Sequence, residues 1–274
     1  MKAKPYIGIT GITSGFQVWS LKEIYANAGI SMHSSHIPML GILVSQDTLL
    51  GKASNRRYPH VNNIPNILLV ADEEFLTMIH YHTKDKTTLA EQVSLLFKGS
   101  AHTMFGESMP NIYNTGLCRA IQLNIYKPPM KELEKIKKEF PDMQIVFQAS
   151  KYSMRKHDSP AEFADYVSQY NDFIDYVLID PSGGRGEVFD IDKSVNIFKK
   201  LSEKLPVKTI GFAGNLNDKN VEKIIVELIE KTGTKDFCTD TESGTRVKLS
   251  DKHGDDVFNM NKAQGYLNGS SIIL

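Results

Sequence analysis

Cysteine is scarce in this 274-residue chain, tryptophan occurs once, and neither sign of charge is in excess. Two cysteines, Cys118 and Cys238, cannot build a disulfide framework, and neither belongs to a C-x-x-C pair. This usage predicts a reducing, cytoplasmic setting. No apolar run approaches the ~20 residues of a membrane-spanning helix. The opening Met1-Lys2-Ala3-Lys4-Pro5 runs into a strand-like segment without a signal-peptide core. Lys plus Arg and Asp plus Glu both number 32, giving a net charge of zero. Binders of nucleic acid or anionic membrane present a basic face to phosphates, so neither partner is expected. What the chain does have is 41% hydrophobic residues, enough for a sizeable core.

That hydrophobicity is delivered in short runs. Tyr6–Thr10, Met39–Ser45, Phe75–His82, Arg119–Ile125, Gln144–Ala149, Tyr176–Asp180, Lys208–Ala213 and Asp236–Asp240 read as eight strands. Several are continuously apolar, as parallel strands covered on both faces must be. Between them, Trp19–Ala28, Leu89–Phe97, Met130–Phe140, Pro160–Tyr170, Asp192–Lys204 and Asp218–Lys231 carry helical period. Ser159-Pro160 supplies a cap and a first-turn proline, and Asn217 or Asp218 can cap the helix at 218–231. Gln46–Ala71, with Pro59, Pro65 and only the short run Ile67–Val70, reads as a long loop plus a degraded or short helix. Asp255–Leu267 reads as a closing helix. Eight strand–helix alternations predict an α/β fold, a single-domain (β/α)₈ TIM barrel over residues 1–274, with an open doubly wound sheet as rival.

Barrel active sites lie at the carboxyl ends of the strands. Asp180 ends the sixth strand and precedes Gly183-Gly184-Arg185-Gly186, glycines that permit close backbone approach to an anion or a tight turn. Gly214-Asn215 follows the seventh strand and Ser243-Gly244 the eighth, the positions at which such barrels hold phosphate through backbone N–H groups.

These segments resemble phosphoribosylanthranilate isomerase, a (β/α)₈ enzyme of tryptophan biosynthesis. The family's Asp and GG-x-G-x-x-FD stretch resembles Asp180 with Gly183–Asp190. Its A/S-GG-L-N-P-x-NV loop resembles Ala213–Val221, and its D-V-S-SG-V-E resembles Asp240–Arg246. Its A-V-Q-L-H-G strand resembles Ala120–Ile125, and an R-Y pair after its second strand resembles Arg56-Arg57-Tyr58. The resemblance implies an isomerase in which Asp180 is the general acid. The family's base is a Cys in K-I-C-G-I-T; the matching position here is Thr10, in Gly8-Ile9-Thr10-Gly11-Ile12-Thr13. A hydroxyl cannot take a proton as a thiolate does, so the standard reaction is not expected. Asn124 stands where the family has His, and Gly214-Asn215 replaces a glycine pair.

Candidate bases are His80, His82 and Glu242. The two histidines lie two apart on one strand and share a side of it. Of the two sides, the outward one, against helices or water, is preferred; two metal ligands would need a third that spacing does not identify. His33 and His36 read as surface residues. Arg56, Arg57 and Arg185 are candidate anion clamps, Gln122 and Asn124 substrate contacts, and Asp240 a residue that holds the phosphate loop. Cys118 and Cys238 read as small buried apolar side chains. The expected partner is a phosphorylated, phosphoribosyl-like small molecule, bound by a monomer or homodimer without cofactor or metal. Two classes of function follow: an isomerase-like enzyme on a different substrate, or a phosphosugar-binding or regulatory protein without turnover.

Overall fold

A computed structural model describes residues 2–52, 55–99, 110–182, 189–252 and 254–274. Among them, eight parallel strands close on themselves in sequence order: β1 (Tyr6–Thr10), β2 (Ile37–Ser45), β3 (Leu76–His82), β4 (Ala120–Leu123), β5 (Gln144–Ser150), β6 (Tyr176–Asp180), β7 (Thr209–Ala213) and β8 (Cys238–Thr241). Closure is made by β1 on β8, with Ile7 opposite Thr239, Gly8 opposite Asp240 and Ile9 opposite Thr241. The open doubly wound alternative is excluded.

Side chains alternate across each strand, so every second residue enters the barrel. Tyr6, Met39, Met78, Ala120, Val146, Tyr176, Leu178 and Cys238 form an interior cluster separate from the larger one between sheet and helices. The outer layer packs against helices that follow the strands: α1 (Gly15–Asn27), α2 (Gln46–Leu49), α3 (Ile64–Ala71), α4 (Leu89–Lys98), α5 (Met130–Glu139), α6 (Lys151–Met154), α7 (Pro160–Ser168), α8 (Ile191–Lys204), α9 (Val221–Thr232) and α10 (Met260–Ser270). Tyr25 of α1 buries its ring there and donates its hydroxyl to the Ile7 and Met39 carbonyls at 3.1 and 3.0 Å, pinning α1 to the first two strands. Both cysteines are buried and free.

The segment at 46–71 ends in the expected short helix, α3, with Pro65 in its first turn, where no N–H is needed; the brief α2 at Gln46–Leu49 was not expected. Four expectations are corrected. Helix α1 begins at Gly15 rather than Trp19: Ser14 and Gln17 form a reciprocal capping box. Helix α9 begins at Val221, since Asn217 is drawn into a turn in which its N–H donates to Asn220 and its Oδ1 accepts from Lys219. The tail is not helical from Asp255. A hairpin, β9 (Arg246–Lys248) with β10 (Asp256–Phe258), precedes α10, which Asn259 caps. At the opposite end of the barrel from the strands' carboxyl ends, His36 is buried rather than exposed. Its Nε2 lies 3.0 Å from the Lys235 carbonyl, and burial lowers its pKa. No helix among the described residues is long and apolar enough to cross a membrane.

Candidate active site at the carboxyl-terminal mouth

Toward the carboxyl ends of the strands the barrel interior changes from apolar to polar. One side chain from each of six strands makes the change: Thr10, His80, Gln122, Gln148, Asp180 and Asp240. Five of these are buried, and Gln148 is partly so. Above them, His82, Asn124, Ser182 and Glu242 rim a cavity that opens to solvent. A polar layer in a barrel core is expensive unless its members satisfy one another. Here they do so in two chains.

The first joins β1, β3 and β8. Thr10 Oγ1 donates to Asp240, at 3.0 Å from Oδ1 and 3.2 Å from Oδ2, and lies 3.3 Å from His80 Nε2. Gly41 permits this meeting. A Cβ at that position would stand 2.2 Å from Thr10 Oγ1 and 2.9 Å from His80 Nε2. Burial lowers the His80 pKa to about 3, so its imidazole is neutral at physiological pH. Burial raises the Asp240 pKa to about 7; Glu242 and Asp180 add to the rise, and the Thr10 hydrogen bond opposes it. Asp240 is thus a carboxyl that exchanges its proton near neutrality.

The second chain joins β4, β5 and β6. Gln148 Nε2 donates to Asp180 Oδ2 at 2.8 Å, and Gln122 Nε2 to Gln148 Oε1 at 3.5 Å. Ser182 donates to Asp180 Oδ1 through its N–H (3.2 Å) and its hydroxyl (2.9 Å). Gly214, at φ +108°, lets the end of β7 pass close by. Its absent Cβ would stand 3.0 Å from Asp180 Oδ1.

Most of the residues singled out in the sequence meet here. Thr10, Asp180, Asp240, Gln122 and Asn124 do, and Gly214, Asn215 and Ser243 line the mouth beside Asp180. The preference for outward histidines is overturned: His80 and His82 both face the mouth, because alternation places them in register with the inward Gln122 and Asn124. His82 Nδ1 lies 3.0 Å from the Asn124 carbonyl. Among the described residues no group of three His, Cys, Asp or Glu side chains is placed to hold a metal. Gly244 serves packing, for its Cβ would fall 1.8 Å from the Leu216 carbonyl oxygen.

The arginines are engaged elsewhere. Arg57 donates from Nε and Nη2 to Asp256 and from Nη1 to Glu242 at 2.6 Å, so the guanidinium expected to clamp a ligand is used within the protein. Arg56 is exposed and pairs with Asp255. Gly183, Gly184 and Arg185 lie outside the described residues. Tyr58, of the R-Y pair, lines the mouth. Sequence reasoning missed Gln148, Gly41 and Ser182. For Gln148 and Gly41 the signal was present, as a polar residue and a glycine each inside an otherwise apolar strand.

No protein-family model matches the chain, and neither does any curated protein. Solved structures do match in fold. The N-(5'-phosphoribosyl)anthranilate isomerase of Pyrococcus furiosus aligns with 98% of this chain and 99% of its own, at TM-score 0.58 and 16% identity. The phosphoribosyl anthranilate isomerase of Thermotoga maritima aligns with 97% and 98%, at 0.59 and 14%. The catalytic domain of a chitinase from Pyrococcus furiosus aligns with 100% and 96%, at 0.58 and 11%. Identities this low establish architecture alone: the chain is a (β/α)₈ barrel that shares its fold, over nearly its whole length, with phosphoribosylanthranilate isomerases.

Proposed function

We propose that this barrel binds a phosphorylated small molecule at its carboxyl-terminal mouth and moves a proton on it, with Asp180 as general acid and Asp240 as general base. One observation carries the reading. Asp240 lies against Thr10, the position at which the resembling isomerases have their base, and its pKa is raised by burial to about 7. A base is most effective with a pKa near the working pH. Thr10 then orients the carboxylate and links it to His80. The phosphate end of the ligand is assigned to Asn215 and Ser243, beside the helical turn that follows β8. Phosphate held at this place in a barrel is bound largely by backbone N–H groups.

Calorimetric titration with phosphoribosyl compounds, phosphosugars and inorganic phosphate tests binding. Proton NMR of deuterium uptake from solvent at ligand carbon tests proton transfer. Asp240→Asn and Asp180→Asn are each expected to lower exchange by about 10²–10⁴-fold while retaining phosphate affinity. Failure of every phosphorylated compound and of phosphate to bind would overturn the reading. Binding without exchange would support a second one, a phosphosugar-binding or regulatory protein without turnover. The Thr10 hydroxyl in place of an ionisable thiol favours that alternative.

A further inference from the structure

The orientation of the two glutamines fixes what the far side of the mouth offers a ligand. Gln148 turns its NH₂ group toward Asp180, donating to Oδ2 at 2.8 Å. The Gln148 carbonyl oxygen is then aimed at Gln122 and accepts from that residue's NH₂. Gln122 is left with its Oε1 pointing away from this chain. That atom is buried and has no hydrogen-bond partner among the described residues, while Gln122 lines the cavity and is only 3% exposed. A buried acceptor left unmet is costly, and a ligand donor that meets it recovers the loss.

No cation stands ready for an anion there: among the described residues lining the mouth there is no lysine or arginine. The neighbouring Arg57 already spends its donors on Asp256 and Glu242. Gln122 stands on β4, across the closed barrel from β8 and from Ser243 beyond it. A ligand whose phosphate lay at Ser243 would therefore put its other end against Gln122.

We infer that this end of the ligand is a hydrogen-bond donor, a hydroxyl- or amino-bearing group such as that of a sugar or aminosugar, and that the mouth rejects a carboxylate there. The inference rests on the reading of the mouth as a small-molecule site, not on the phosphate. It parts company with an anthranilate-like ligand, whose carboxylate would meet an acceptor oxygen, with no described lysine or arginine lining the mouth to receive it.

Titration calorimetry with the full chain tests it, using glucosamine 6-phosphate, glucose 6-phosphate and 6-phosphogluconate, the unphosphorylated glucosamine, glucose and gluconate, and inorganic phosphate. The amine and hydroxyl compounds should bind tighter than the carboxylate compound within each set. Gln122→Met, which keeps the volume and removes the acceptor, should shrink that preference roughly tenfold. Its thermal midpoint shows whether the variant is folded, and the wild-type ranking stands without it. A carboxylate compound binding as well as its amine or hydroxyl counterpart overturns the inference, as does an unchanged preference in folded Gln122→Met. If only the unphosphorylated set binds with the expected ranking, the donor inference stands and the phosphate reading falls. If phosphate binds but no sugar adds affinity to it, the reverse holds. Binding by none of the compounds overturns both.

Discussion

Asp240 and His80 sit within reach of one hydroxyl, and burial moves them in opposite directions, to about 7 from 3.8 and to about 3 from 6.5. The folded value of Asp240 lies above its unfolded value. Its ionisation therefore costs nothing below about pH 4, costs progressively more as pH rises toward 7, and stays constant beyond. The folded value of His80 lies below its unfolded value, so stability is full above about pH 6.5 and is lost as pH falls toward 3. Between these limits the two slopes oppose each other. Asp240→Asn should add on the order of 4 kcal/mol at pH 8 and leave a protein whose stability climbs from about pH 3 to 6.5. His80→Gln should show the opposite slope. Urea unfolding across this range reads both effects, and parallel profiles for wild type and variants would refute them. Gly41→Ala belongs to the same scale. Its methyl would strike Thr10 and His80, and overpacking of this kind costs about 1–3 kcal/mol, to be read as a lower urea midpoint at unchanged slope.

At the scale of elements, the β9–β10 hairpin carries the largest electrostatic commitment. Its Asp256 accepts from both Arg57 and Arg246, all three are buried, and Arg246 also donates to the Gly11 carbonyl at 2.9 Å. One carboxylate thus ties the loops after β1, β2 and β8 together. Asp256→Ala would leave two buried guanidinium groups with one carboxylate between them, Glu242 on Arg57, at a cost of about 3–5 kcal/mol in chemical denaturation. Nothing in the sequence marks this hairpin, because its strands are three residues each and its turn is a run of polar residues. The barrel strands were legible for the opposite reason: burial on both faces writes them as unbroken apolar runs. Helix starts were misread where a cap was passed over, as at Ser14, or where a competing turn captured the cap residue, as at Asn217. The site was half legible. Asp180 and Thr10 stand at strand ends, where barrel chemistry lies, whereas the direction of His80 followed from register, which only the closed sheet fixes.

For the whole molecule, closure decides everything. Helix α10 lies across the seam between β8 and β1, and its Tyr266 is buried with the hydroxyl donating to Thr239 at 3.1 Å. Deleting residues 260–274 would strip Ala263, Tyr266 and Leu267 from that seam. Burial of a large core side chain contributes about 1.5–3 kcal/mol, so the truncated chain is expected to lose cooperative unfolding by circular dichroism. The seam also governs folding. The hydrogen bond from Thr10 to Asp240 joins residues 230 positions apart, among the most distant partnerships the chain can make. Contacts this remote in sequence form late, after the entropy of drawing the ends together has been met. A nascent chain emerging from its amino end therefore carries Thr10 and His80 for most of its synthesis with neither Asp240 nor the closed mouth in place. The polar mouth comes into being only as the last strand arrives.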